Sequence, residues 1–509
     1  MTRKPLILGS LLLAAFAINL DTTIVNVALP SLVRELHAST TQLQWVVDAY
    51  NLVFAALVLA AGNIGDRLGR KGVLLVGLGV FGVATLAGGL GTNPGDLIAA
   101  RAVMGLGAAL IFPATLSLLT NVFTERRERA RAIGLWGATT GVGIALGPIV
   151  GGWLLERFSW SSVFYALAPV AVVAAAMVGT SVPTSRDPEA PPPDRVGLVL
   201  CTAAMAVLIF TVIEAPERGW GAGLTVAGFV VAAALLVAFL QWERRAFTPM
   251  LDVALFRNLR FSAASAALTI TFFSLMGFIF IVTLYFQFLK HYGPLSTGVR
   301  LLPVATTVGI TSVLGTRLAV RNGTKLVVAA GLVSLAGGLA WTSSASASTS
   351  YLTIAGAMVL IGSGIGLTSA PATESIMGAV SAAKAGVGSA VNDATRILGA
   401  TLGVAVIGSV YASLYGSRLT TALGASVPDP VAASAQRSVG IALGAADRLD
   451  ASGHADLARG LRDAASTAFF HGFQAACLVA AAVAAAGVVM ALALIPAQPP
   501  RTSAAPEPA

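Results

Sequence analysis

Apolar runs separated by short polar clusters fill the chain almost from end to end. Runs of about 20 mostly apolar residues are what a helix needs to cross the hydrocarbon of a bilayer. The pattern predicts about fourteen spans, at 6–29, 44–63, 73–92, 97–120, 131–155, 161–181, 197–214, 222–241, 262–287, 297–317, 325–342, 351–374, 388–412 and 469–495. The run after Met1-Thr-Arg-Lys4 lacks a cleavage site and continues past Asp21 to Pro30, so it is read as a first membrane helix rather than a leader.

The polar clusters alternate in charge. Lys and Arg gather in every second loop: Arg3 and Lys4; Arg67, Arg70 and Lys71; Arg126, Arg127, Arg129 and Arg131; Arg186 and Arg195; Arg244, Arg245, Arg257 and Arg260; Arg317, Arg321 and Lys325; and Lys384. The intervening short loops hold only Arg34, Arg157, Arg218, Lys290 and Arg300. Cytoplasmic loops carry such an excess, so both termini are expected in the cytoplasm. The long segment 413–468 is left out of that comparison, because long loops cross regardless of charge. It is Ala-rich, with helical spacing around Leu449, Leu457 and Leu461, and short helices at the outer surface are expected there.

A faint repeat organises the chain further. Aligning Gly69 with Gly323 sets Arg67 on Arg321 and Lys71 on Lys325, with Val320 at the Asp66 position. Both stretches follow a second span, counted from spans one and nine. A duplicated six-helix unit gives that pattern, with spans seven and eight inserted between the copies. The expected units are therefore a first bundle at 1–182, a linker with the inserted pair at 183–260, and a second bundle at 261–495. The linker begins Pro-rich (Pro183, Pro188, Pro191, Pro192 and Pro193), and 496–509 is a polar, disordered tail.

Composition closes off other classes. Only 11% of residues are charged and 56% are hydrophobic, far from a soluble domain. The formal charge of +9 is scattered in loops and makes no nucleic-acid patch. Cys201 and Cys477 lie in separate apolar runs and imply neither a disulfide nor a metal site, and the four His stand in no ligand spacing. Nucleotide, metalloprotease and hydrolase motifs are missing, so no cofactor and no enzymatic activity are expected. Transport without an ATP site must draw on an ion gradient, where one charge through 100 mV supplies about 2.3 kcal/mol.

The chemistry then rests on ionisable residues inside spans, each costing about 2.5–3.5 kcal/mol at mid-membrane. Asp21 shares a polar flank with Asn19, Thr22, Thr23 and Asn26, and is expected to face the bundle interior. It is either a protonatable carboxylate or one satisfied structurally by neighbouring helices. Asp48, beside Trp45 and Tyr50, suits a lipophilic cation by charge and cation–π contact, or is a hydrated interfacial acid among belt aromatics. Arg101 is placed to pair with a membrane acid, or to snorkel. Glu214 and Glu374 stand at span ends and read as interfacial, while Asp393 and Arg396, three residues apart, read as an intrahelical ion pair. Gly143, Gly147 and Gly151 share one helix face for close packing, with Pro148 adding a kink and hence a hinge.

These stretches resemble the major facilitator superfamily, and within it the fourteen-helix drug:proton antiporters of the EmrB/QacA type. Gly62-Asn-Ile-Gly-Asp-Arg-Leu-Gly-Arg-Lys71 looks like the superfamily loop motif between helices two and three. The resemblance makes Gly62, Asp66, Arg67, Gly69 and Arg70 a cytoplasmic gate. Arg101 with Gly105 and Gly107 is similar to the helix-four motif, implying a part in proton coupling. Gly141 to Gly152 looks like the antiporter motif of helix five, and Asn19 to Pro30 like the first-helix motif of the fourteen-helix group, which makes Asp21 the implied proton carrier. Trp45-Val-Val-Asp-Ala-Tyr50 resembles the QacA-type second helix, whose acid is associated with organic cations, and 384–396 is similar to actinobacterial members. Val320 departs from the pattern, so only the first copy can form the full gate lock.

The resulting expectation is an all-α integral membrane protein of the major facilitator fold. Two six-helix bundles with two inserted helices would sit in a bacterial cell membrane. It would export amphiphilic, cationic drugs against protons by alternating access, with Asp48, Trp45, Tyr50, Phe273 and Tyr285 around the substrate. A dedicated exporter of one antibiotic or metabolite has the same fold, and a transport-inactive sensor or scaffold is the alternative of another class. An uptake symporter is disfavoured by the helix-five motif. Whether an accessory protein meets 413–468 is left open by the sequence.

Overall fold

The computed structural model describes residues 4–186, 194–379, 385–423 and 429–496. Lys384, the prolines between 187 and 193, and the expected tail from 497 lie outside the described residues. All regular structure among them is helical. In hydrocarbon every backbone N–H and C=O needs an internal partner, and a helix supplies all of them within one segment.

The first bundle is built from α1 (Lys4–Leu36), α2 (Thr40–Leu68), α3 (Arg70–Gly89), α4 (Pro94–Val122), α5 (Arg126–Arg157) and a broken sixth span, α6 (Ser162–Tyr165) with α7 (Leu167–Ser181). Next come α8 (Arg195–Arg218) and α9 (Gly223–Glu243). The second bundle holds α10 (Leu259–Leu284), the broken pair α11 (Pro294–Arg300) and α12 (Leu302–Asn322), α13 (Thr324–Ser343), α14 (Tyr351–Gly378) and α15 (Ala385–Leu423). Short α16 (Asp429–Arg437) and α17 (Val439–Ala451) then lead into α18 (Ala455–Leu494). Twelve spans pass on length and hydropathy alone, and α2, bent by 55° near its middle, makes a thirteenth. Helix α5 is long enough at 32 residues, but its first turns are rich in arginine. With it, the helices match the fourteen predicted spans one for one.

Local signals set the boundaries. Ser39 and Gln42 form a capping box at the start of α2. Asn93 caps α4 with Pro94 at the first helical position. Gly69 (φ 118°) and Gly323 (φ 86°) break the chain between helices, each donating its N–H back to the carbonyl four residues before. Only a residue without Cβ enters that region cheaply, so the aligned glycines are the same turn in two copies.

Two expectations need correction. The segment 413–468 is not a set of short helices alone, because α15 runs on to Leu423 and α18 starts at Ala455. At 39 and 40 residues these helices are roughly 60 Å long, about twice the hydrocarbon thickness, so they stand well clear of it. Asp393 and Arg396 attract each other across their shared face without direct contact: Arg396 lies over Phe272, 4.5 Å from the ring centroid, and Asp393 accepts from the Asn392 amide at 3.3 Å. The aromatic face and the adjacent amide add to that attraction.

The bundles meet on one face. Gln44 of α2 donates to the carbonyl of Ala405 (2.9 Å) and to Ser409 (3.2 Å) on α15, Thr40 donates to Arg437 (3.0 Å), and Gln287 donates to Val27 (2.9 Å). Gly152 of α5 lies against Pro294 and Leu295, and Gly298 of α11 against Pro148. All these contacts lie toward the α1–α2 turn. Among the described residues, no hydrogen bond joins the bundles at the face bearing the start of α1. The molecule is therefore closed on one side.

A side chain at 298 would collide with the Pro148 carbonyl, so Gly298→Val is expected to part the seam. In a background lacking Cys201 and Cys477, a cysteine at Gln287 should then react several-fold faster with a water-soluble maleimide. Unchanged reactivity would show that the seam does not depend on this contact.

Candidate functional site

Asp21 stands midway along α1, and its polar flank is satisfied from within the helix. Asn19 donates to Ala15 (2.8 Å), Thr22 to Ile18 (2.9 Å) and Asn26 to Thr22 (3.2 Å). The carboxylate itself turns inward and is fully buried. Arg101 of α4 meets it there, with Nη1 at 2.8 and 2.7 Å from Oδ1 and Oδ2. The same guanidinium donates Nε–H to the Val46 carbonyl (2.9 Å) and lies over Tyr50, 4.3 Å from the ring centroid. One side chain thus ties α1, α2 and α4 together.

Four glycine contacts make this approach possible. Gly105 lies against the Tyr50 backbone, where a Cβ would overlap the carbonyl. Gly143, Gly147 and Gly151 of α5 lie against α1 at Asn19, Thr23 and Ile24. The predicted smooth face therefore packs on the stretch that carries Asp21. Pro148 sits between that face and the seam to α11.

Asp48 is placed differently. It lies one turn beyond Gln44, is fully buried, and neither carboxylate oxygen accepts a hydrogen bond from the protein. Trp45 and Tyr50 do not flank it as a pair. Trp45 turns toward α8, donating to Glu214 at 3.4 Å and packing on Phe210 at 6.0 Å, while Tyr50 turns toward Arg101. Tyr285 is built into the second bundle: its hydroxyl donates to Ser346 (3.1 Å) and its ring packs among Phe469, Phe470 and Phe473. Phe273 sits where α10 crosses α15, its backbone against Gly403. Aromatics not singled out from the sequence continue from Tyr50 instead. Tyr50, Phe54, Phe112 and Trp136 form a chain with ring centroids 5.9, 5.8 and 5.0 Å apart. Phe54, one turn after Tyr50, was the available signal for it.

At the α2–α3 turn, Asp66 pairs with Arg70 across Gly69 at 2.6 Å. The Arg70 N–H donates to Ser185 (2.9 Å) and Lys71 to the Gly179 carbonyl (2.8 Å), so the turn is fastened to the end of α7. Gly62 packs on Pro113, and Arg67 is exposed. Glu374 is exposed near the end of α14, while Glu214 is partly buried beside Arg218.

The model of the Major Facilitator Superfamily matches residues 11–404. This chain belongs to that superfamily. Within it, the chain is 34% identical over 492 residues to the multidrug efflux pump LfrA of Mycolicibacterium smegmatis, covering 96% of each chain. It is 35% identical to the multidrug resistance protein Stp of Mycobacterium tuberculosis, over 82% of this chain and 78% of that one. The methylenomycin A resistance protein of Streptomyces coelicolor is 36% identical over 77% of this chain and 82% of its own. Among solved structures, a bacterial homologue of the human lysosomal transporter Spinster, described as inward-facing and unoccupied, superposes with a TM-score of 0.67. At 15% identity over 97% of this chain and 98% of that one, it shares the fold alone. The chain is thus a multi-pass membrane protein with a transporter fold.

Because the Asp21–Arg101 pair is buried, removing one partner leaves the other charged and unmatched. Arg101→Ala is expected to lower stability by roughly 3–5 kcal/mol, and Asp21→Leu with Arg101→Met to recover most of that loss. Thermal unfolding of the purified protein reads both, and a double variant no better than the single one would mean that the guanidinium is held mainly by Val46 and Tyr50.

Proposed function

We propose that the protein is a secondary active exporter of amphiphilic drugs, cationic ones included, driven by protons moving inward. The observation that carries the reading is the buried Asp21–Arg101 pair, set where three helices of the first bundle converge. The drug part is supported by the efflux pumps and resistance proteins to which the chain is similar.

With both termini in the cytoplasm of a bacterial cell, the seam at Gln44 and Gly298 closes the outer face, and the conformation is inward-facing. Asp21 in this state is an anion held by Arg101. Opening outward would shift α1 against α4, weaken the pair and let Asp21 take a proton. Protonation removes the attraction, so the pair opposes the outward state until a proton arrives. Asp48 is a buried carboxylate with no protein partner, so a cationic cargo or a proton is what offsets its desolvation. The chain of Tyr50, Phe54, Phe112 and Trp136 offers flat apolar surface beside these acids. Asp66 and Arg70 brace the cytoplasmic turn of the α2–α3 hairpin, and Lys71 holds it against α7 as the bundle tilts. Proton and drug then shift the balance of states because each prefers one of them.

A dedicated exporter of one antibiotic is the second reading. It is favoured by relatives whose names carry a single compound, such as methylenomycin A or puromycin.

Efflux of ethidium from energised cells tests the proposal. Export by the wild type should stop with a protonophore and in Asp21→Asn, while Asp48→Asn should lose cations and keep neutral substrates. Export that survives both the protonophore and Asp21→Asn would overturn proton coupling. Absence of ethidium export, beside export of one antibiotic, would favour the dedicated pump.

A further inference from the structure

The inserted helices α8 and α9 have no part in the site above, yet they enclose a groove of about 680 Å³ against α2. Leu52, Phe210, Ala227 and Val231 make its walls, and Trp45, Glu214 and Arg218 its polar end. Trp45 and Glu214 also line a second, polar cavity of about 520 Å³, which reaches Glu217 and the α1–α2 turn. An apolar groove therefore continues into a polar cleft through one carboxylate and one indole. We propose that this groove is a peripheral binding site for amphiphilic cations, in which Arg218 occupies the seat that the ligand's charged group takes over.

The seat is assembled as a cation site. Phe210 and Trp45 present two ring faces with centroids 6.0 Å apart and planes at 47°. The Glu214 carboxylate closes the third side. In the structure a cation already sits there: Arg218 Cζ lies 4.8 Å from the Phe210 centroid, and its Nη2 is 3.4 Å from Glu214 Oε2. A cation over an aromatic face beside a carboxylate is the arrangement that selects such ligands.

The resident group is held loosely. Its contact to Glu214 is long, as is the one from Trp45 at 3.4 Å, and the Arg218 side chain is 41% exposed. It can swing into the polar cleft without being stranded. The apolar wall is open to lipid, with Phe210 42% and Val231 48% exposed, so the body of an amphiphile can enter from the membrane. The polar cleft beyond the seat carries Arg437 and Arg448 as well as Glu214 and Glu217, so an anionic lipid is the rival occupant, and the acid that meets the Phe210 and Trp45 rings favours the cation at the seat itself. The site goes beyond the proposed export cycle, since binding here requires neither a gradient nor Asp21.

The test uses the purified full chain in nanodiscs of phosphatidylcholine, with Cys201→Ser and Cys477→Ala as background and Val231→Cys as reporter. Tetraphenylphosphonium should protect the reporter from maleimide labelling. The concentration for half protection should fall about tenfold in Arg218→Ala, where the competing cation is gone, and rise about tenfold in Glu214→Gln and in Phe210→Ala. A purely structural Arg218 would give a weaker site in Arg218→Ala, and that result overturns the proposal. So does the absence of protection, or protection by phosphatidylglycerol that is lost with Arg218, which would make the groove a lipid site. Because no gradient is present, failure of the efflux cycle leaves these outcomes readable.

Discussion

In hydrocarbon a charged guanidinium and a charged carboxylate offset each other's desolvation when they are buried in contact, and the first bundle is arranged around one such pair. Arg101 crosses from α4 to Asp21 on α1 and gives its Nε–H to the Val46 carbonyl of α2. The desolvation of two ions is offset only at close range and with every direction satisfied. That requirement fixes where three helices cross. A shift of one helix by a fraction of a turn would leave a charge unmatched, so the pair has two acceptable states, formed or protonated, and little between. On the proposed reading this is why a proton can act on a helix bundle at all.

Close approach is the second constraint, and it follows from the first. The pair can be short only if α2, α4, α1 and α5 stand nearer than ordinary side chains allow. Gly105 on α4 and the three glycines of α5 remove the atoms that would keep them apart. The same device recurs at the seam, where Gly298 meets Pro148 and Gly152 meets Leu295. Helix α5 therefore has one end of its glycine face on the helix that carries Asp21 and the other against the second bundle. A change in how α1 sits has a direct mechanical route to the closed face.

The sequence made the framework legible because membrane burial imposes length and composition on every span. Alternating charge, the positive-φ glycines and the glycine spacing of α5 all follow from local chemistry. Arg101 and Asp21 were legible as ionisable groups in apolar runs, and their pairing completes what each residue demands. The failures share a physical cause. Trp45 and Tyr50 are five residues apart, and a helix turns about 100° per residue, so they look to different sides of α2, Trp45 toward α8 and Tyr50 toward Arg101. Tyr285 was an aromatic in the right span, yet it serves the packing of α18. Asp393 and Arg396 share a face, but Phe272 offers the arginine a seat that the chain spacing could not announce. Which side a residue faces depends on partners hundreds of positions away.

The two acids of the first bundle differ in one respect, and on the proposed reading that difference divides their labour. Asp21 has a fixed cation in reach, whereas Asp48 has none, though both are fully buried. A carboxylate with a resident partner resists protonation until the partner moves, which suits a group that must register conformation. A carboxylate without one is raised in energy as long as it stays charged, which on that reading suits a group that must attract a cation. Asp48 lies one turn from Gln44, which binds α15, so on the proposed reading the closed seam is what keeps bulk water from it. Opening that seam would hydrate Asp48 and remove its need for a cargo. Binding on one side and release on the other then follow from the same exposure of a single carboxylate, without any change in its chemistry.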